Sequence, residues 1–152
     1  MVKRGRRKPM APESAAKYFV VARALRKSAR DLEELADEGD SYGNALAIVS
    51  IHSAVAYVDA LSITFGGIKS SGGDHLRAVD ALKTALGNRM DPDALKELTA
   101  ILREKDKVAY QGVFYSVASA KRLLRRLSAF ADWAELVYDR RPARNPHQAK
   151  KT

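Results

Sequence analysis

Asn44–Phe65 reads NALAIVSIHSAVAYVDALSITF, and this stretch decides the fold. It is apolar on nearly every side, the pattern of a helix sealed inside a bundle rather than one lying on a surface. Two ionisable side chains interrupt it, His52 and Asp59, seven residues apart. At about 100° per residue, seven steps return to nearly the same azimuth two turns on, so the pair shares one stripe. Each must find a partner inside the fold or open onto a cleft, which makes both candidate residues of a polar cleft. The run is too rich in Ala and Ser, and too interrupted by charge, to read as a membrane span; no membrane association is expected.

Upstream, Pro9-Met10-Ala11-Pro12-Glu13-Ser14 reads as a helix start, with prolines and an acid beside the first turn. From Ala15 to about Glu38, the positions Tyr18, Ala22, Leu25, Ala29, Leu32 and Ala36 step by four and three, an amphipathic seam with charges on the outer face. Gly39 supplies a stop, and Asp40-Ser41-Tyr42-Gly43 a turn. Downstream, the central helix ends at Gly66-Gly67. The loop IKSSGGDH that follows lacks a preceding strand and a Gly-Lys-Ser/Thr ending, so it is read as a helix–helix connection in which Asp74 caps the next element.

That next helix spans His75 to Leu86, on Leu76, Val79, Leu82 and Leu86. Asp91-Pro92 restarts the chain with a cap and a first-turn proline, and Leu95, Leu98, Ile101 and Leu102 continue it. The segment LREKDKVAYQG is charged until Val108. A last long helix is expected to begin near Gly112 or Val113 and to run through Val117, Leu124, Leu127 and Ala131 towards Val137. Lys121, Arg122, Arg125 and Arg126 form its basic face, a solvated surface or a phosphate-contacting ridge; Phe130 and Trp133 close the core near its end. No alternating segment is long enough to be a strand. The expectation is an all-α fold, an antiparallel up-and-down helical bundle of three long and two short helices.

At 152 residues the chain fits one domain. The lack of cysteine excludes disulfides, thiolate metal sites and cysteine nucleophiles, and suits a cytoplasmic, reducing setting. The basic N-terminus is followed by no apolar segment and cleavage site, so no secretory leader is expected. The formal charge of +9 is concentrated at the ends. Residues 1–8 and 139–152 together hold ten of the 27 basic residues and one of the 18 acidic ones, leaving 17 of each between them. The organisation expected is a disordered basic arm at 1–12, a bundle at 13–138 and a disordered basic tail at 139–152. Such arms meet phosphate backbones through salt-sensitive contacts, or simply aid solubility.

Three places resemble the HEPN superfamily of small helical bundles. AIVSIHSAVAYVDALSI is similar to its small-residue-rich buried helix ending in Asp-Ala, and SSGGDHLRAVDAL to the short loop and His-led third helix of some branches. KDKVAYQGVFYSVASAKRLL resembles the junction that carries the family signature, an arginine, four to six residues and a histidine, before the last helix. The resemblance spans roughly residues 13 to 138. It implies a homodimer, and a nucleotidyltransferase or an antitoxin as partner. In nuclease members it further implies metal-independent RNA cleavage, with the arginine on the scissile phosphate and the histidine handling the 2′-hydroxyl proton.

This chain departs from that signature. Four residues separate Lys105 from Tyr110, and six separate Arg103 from Tyr110, so the histidine position is a tyrosine either way. A phenol with a pKa of about 10 is a poor general base at neutral pH. Lys105 can hold a phosphate as a point charge, without arginine's planar fork. The expectation is therefore a binding module for a phosphate-bearing ligand, RNA or nucleotide, lined by Arg103, Lys105, Tyr110 and Arg122. No cofactor is expected, and no metal, since the histidine and carboxylate spacings match no ligand pattern. The alternative is a metal-independent endoribonuclease of a toxin–antitoxin or defence system, with His75 or His52 in place of the missing histidine. In that reading His75 reaches Asp59 across the glycine loop, and the hydrogen bond raises its pKa and fixes its tautomer. A second alternative is a structural protein whose seam on the first or fourth helix pairs with itself or with another helical partner. No residue is assigned a catalytic role.

Overall fold

Alanine and serine set how closely the first two helices pack. The computed structural model describes residues 7–37, 41–71, 75–109 and 111–143; Tyr110 and the side chain of His75 lie outside the described residues. Helices α1 (Ser14–Leu35) and α2 (Tyr42–Gly66) meet along Ala22 and Ala29 on one side and Ala47, Ser50, Ser53 and Ala54 on the other, all buried. With such short side chains the backbones come close enough for Ser53 Oγ to donate to the Ala22 carbonyl at 2.8 Å. The pairing is antiparallel.

Helix α1 follows a turn in which the Ser14 N–H and Oγ both donate to the Ala11 carbonyl, at 3.0 and 2.6 Å. It ends at Leu35, short of the expected Glu38, with Ala36 already extended. Its last turn carries Glu33 and Glu34 and no base, the charge that a helix C-terminus disfavours.

Helix α2 begins two residues before the expected Asn44, and Gly43, expected in a turn, is helical. The backbone of Tyr115 and Ser116 rests against it there, and a Cβ on Gly43 would overlap the Tyr115 carbonyl oxygen. The helix leaves at Gly67, whose φ of 63° and N–H bond to the Ile63 carbonyl form a left-handed cap. By length and hydropathy α2 is able to cross a membrane, yet 78 % of its most apolar window is buried within the bundle. It is the core helix.

Residues 7–12, expected within a disordered arm, have a defined place in the fold. Strand β1 (Arg7–Pro9) pairs antiparallel with β2 (Ile68–Ser70), setting Arg7 opposite Ser70, Lys8 opposite Lys69 and Pro9 opposite Ile68. Three-residue strands carry no readable alternation, so nothing in the sequence announces them. Neighbours fix this clasp: the Met10 N–H donates to the Gly67 carbonyl at 2.9 Å and Arg7 to Thr84 Oγ1 at 3.2 Å.

Helix α3 (His75–Leu86) has the expected bounds, although its expected cap, Asp74, lies outside the described residues. A 3₁₀ turn leads to α4 (Pro92–Arg103), where Asp91 accepts from the Ala94 N–H at 3.0 Å and Pro92 fills the first position. A five-residue helix, α5 (Lys105–Ala109), forms within the charged segment. Helix α6 (Val117–Asp139) starts four or five residues later than expected, because Gly112 turns with φ 63° and Ser116 caps by accepting from the Ser119 N–H.

Arg26 reaches Asp132, and Phe19 stacks on Tyr138 with ring centroids 4.0 Å apart, so α1 runs antiparallel to α6. Arg126 meets Glu97, while Arg103 lies with Ser119 and Arg122 around one groove, so α4 is antiparallel to α6 as well. The fold is an all-α, up-and-down bundle around α2, with Leu46, Ile51, Tyr57, Leu61, Leu98, Leu127 and Phe130 at its centre.

Candidate anion-binding groove

One side chain on α2 organises the α5–α6 junction. Asn44 accepts from the Tyr115 N–H at 2.9 Å and donates to the carbonyls of Val113 and Val108 at 2.9 and 3.3 Å. It thereby replaces the missing helical partners of a connection that neither helix continues. With Gly43 beside it, Asn44 seats residues 113–116 against the start of α2 and aims the first turn of α6 at the end of α4.

The result is a groove of about 630 Å³ lined by α4, α5, the junction and α6. Four cations face it: Arg103, Lys107, Arg122 and Arg126. Two carboxylates answer them, Glu104 at 3.7 Å from Lys107 and Glu97 at 3.1 Å from Arg126, so the balance stays positive. Arg122 donates to Ser119 Oγ at 2.9 Å, which holds the guanidinium over the α6 N-terminus. That end bears the positive pole of the helix dipole, and its cap, Ser116, also lines the groove. Tyr115 bonds to Glu104; burial first, and then the Glu104 charge, push its phenol up to about 12, so it stays protonated. Phe114 stands at the wall with 63 % of its surface exposed.

Among the sequence-derived candidates, Arg103 and Arg122 share this groove. Lys105 sits half-buried on α5 and does not line it. Tyr110 lies outside the described residues, as does the side chain of His75, which begins α3. His52 and Asp59 do not meet at the groove. His52 is exposed on α2, whereas Asp59, two turns further on, is buried within reach of the Lys69 charge on β2. Fifteen residues separate Asp59 from Asn44, about 22 Å of helix axis. One stripe thus has two environments, solvent at His52 and a buried place near Lys69 at Asp59. Burial, partly offset by the Lys69 charge, raises the Asp59 pKa to about 6. Lys69 in turn donates to the Tyr18 hydroxyl at 3.0 Å.

Sequence reasoning missed Lys107, Ser116, Ser119 and Phe114. The signal available was the spacing of Arg103 and Lys107, four apart across a helix break, and Ser116 ahead of an apolar period. Among the described residues no group of three or more His, Asp or Glu side chains is placed to hold a metal ion. The groove therefore offers fixed positive charge and hydrogen-bond donors for an anion, and among the described residues that line it there is no histidine to move a proton. No protein-family model matches the chain, and no curated protein matches its sequence.

Proposed function

We propose that this chain is a HEPN-like binding module whose groove takes a phosphate-bearing ligand, RNA or nucleotide, without cleaving it. The observation that carries the reading is the convergence of Arg103, Lys107, Arg122 and Arg126 with the α6 N-terminus on one groove. Arginine forks and a helix N-terminus both match phosphate geometry. Exposed Phe114 adds a face on which an unpaired base can stack. Tyr110 at the signature histidine position, and the lack of a histidine among the described residues of the groove lining, favour binding over cleavage. The basic residues of 1–6 add non-specific affinity, and the cysteine-free composition fits the cytoplasm.

Fluorescence anisotropy with a single-stranded RNA oligomer and with a nucleoside triphosphate, across a salt series, tests this. Binding weakens as salt rises, and Arg103→Glu with Arg122→Glu weakens it more than about tenfold while flattening the salt slope by about 0.7 per lost contact on RNA. Affinity unchanged in the double variant overturns the groove. RNA broken down by the wild type in chelator replaces binding with the endoribonuclease reading.

A further inference from the structure

Helix α6 carries more positive charge than the groove uses. Between Val117 and Ala131 it holds Lys121, Arg122, Arg125 and Arg126, and no acid. Arg122 and Arg126 line the groove on the α4 side. A step of three residues turns about 60° around a helix axis, so Arg122, Arg125 and Ser128 pass in order from that groove to the opposite flank. Ser128 belongs to the α1 side, since its carbonyl accepts from Arg26 at 3.4 Å. Arg125 is exposed between the two and has no ion-pair partner among the described residues.

On the α1 flank lies a second recess, of about 610 Å³, lined by Arg23, Arg26, Lys27 and Arg30 of α1 and by Glu135 of α6. Its inner wall is held in place. Arg26 keeps only 8 % of its side chain exposed and bonds Asp132 at 2.6 Å, and Glu135 lies 3.6 Å from both Arg26 and Arg23. Tyr57 donates to Glu135 from the core at 2.8 Å. The outer cations are not so engaged. Lys27 and Arg30 are exposed without an ion-pair partner among the described residues, although Asp31 and Glu34 follow one turn later.

The register of the two helices joins this recess to the groove. Arg23 meets Glu135 and Arg26 meets Asp132, so in the antiparallel pair Arg30 comes level with Ser128. Arg125 lies three residues further along α6, about 4.5 Å of helix axis. Lys27, Arg30, Arg125 and Arg122 thus form one band across the outer side of α6, while Asp132 on that side is already bonded by Arg26.

We infer, resting on the groove proposed above, that its ligand is a single strand of RNA that leaves the groove over Arg125 and sets a further backbone phosphate against Lys27 and Arg30. A mononucleotide fills one site; only a strand reaches both. Cations on exposed stems meet phosphates rather than base edges, so the recess adds affinity that depends on strand length and not on sequence.

Fluorescence anisotropy of the full chain with a single-stranded RNA of about twelve nucleotides, across a salt series, tests the path. Lys27→Ala with Arg30→Ala binds this RNA more than about tenfold more weakly, and the salt slope falls by about 1.4, the counterion release of two phosphate contacts on a single strand. The same variant binds a nucleoside triphosphate as the wild type does. Lys17→Ala with Lys83→Ala removes equal charge from exposed positions that line neither site, and leaves the salt slope unchanged. Alanine suits an exposed helix position, so both variants keep the wild-type circular-dichroism melt. RNA affinity unchanged in the α1 variant, or lowered equally in the control, overturns the path and leaves the groove standing. Triphosphate binding lost in the α1 variant also overturns the path, because the recess would then be the nucleotide site itself. Affinity for both ligands unchanged in Arg103→Glu with Arg122→Glu overturns groove and path together.

Discussion

Asp59 shows what one buried carboxylate does to a fold. Its raised pKa, about 6 against about 4 for an exposed aspartate, means that the native state holds its proton more tightly than the unfolded chain. Between those values the native state binds more protons, so this group's contribution to stability falls as pH rises from about 4 to about 6 and is constant above. A pKa gap of that size corresponds to about 3 kcal/mol of instability at neutral pH. Asp59→Asn keeps the shape and removes the charge. It is expected to raise the urea midpoint at neutral pH and to lose most of that advantage near pH 4; an equal gain at both pH values would show that the carboxylate's charge is not the cost. Asn44 acts in the opposite sense. Asn44→Ala strands the Tyr115 N–H and two carbonyls of the junction, a loss of about 2–3 kcal/mol in urea unfolding that is accompanied by weaker groove binding. Asp59 stands out in the sequence as a charge within an apolar helix, but Asn44 looks like an ordinary helix-start residue because its partners lie 64 to 71 positions away.

Among the helices, composition predicts placement best where packing is tightest. An all-round apolar helix with small residues at close spacing belongs in the centre, and α2 is there. The α1–α2 seam depends on Ala22 and Ser53 staying small, so Ala22→Leu forces the helices apart and costs about 1–3 kcal/mol, read as a lower melting temperature. Helix ends are legible where a cap and a proline coincide, as at Asp91-Pro92 of α4. They are obscured where a capping serine stands alone, as at Ser116, since its hydroxyl competes for notice with Ser119 and an upstream glycine. The groove was half-legible for the same reason. Arg103 and Arg122 stand out as cations near a junction, but their convergence with Lys107 and Arg126 follows from the antiparallel register of α4 on α6, which no local pattern encodes.

At the scale of the whole molecule the proposed function gives the charged N-terminus two jobs that a truncation series separates. Lys3, Arg4 and Arg6 precede the clasp, so removing residues 1–6 leaves β1 and its pairing with β2 in place. That deletion is expected to reduce RNA affinity and flatten its salt dependence while leaving the urea midpoint unchanged. Removing residues 1–10 also takes away the three-residue ladder, the Met10–Gly67 bond and the Arg7–Thr84 bond. Each hydrogen bond contributes on the order of 1 kcal/mol net of exchange with water, and the cost of ordering the arm is removed with it, so a net loss of about 1–2 kcal/mol is expected. The second consequence is electrostatic. β2 loses its strand partner, water reaches the Lys69–Asp59 end of α2, and the Asp59 pKa returns towards its ordinary range. The longer deletion should therefore be less stable than the shorter one near pH 4, with the gap narrowing or reversing towards neutral pH, because it loses the part of the fall between about pH 4 and pH 6 that Asp59 causes. Urea titrations of both truncations at the two ends of that range measure this directly. Parallel pH profiles would mean that the clasp does not control the burial of Asp59.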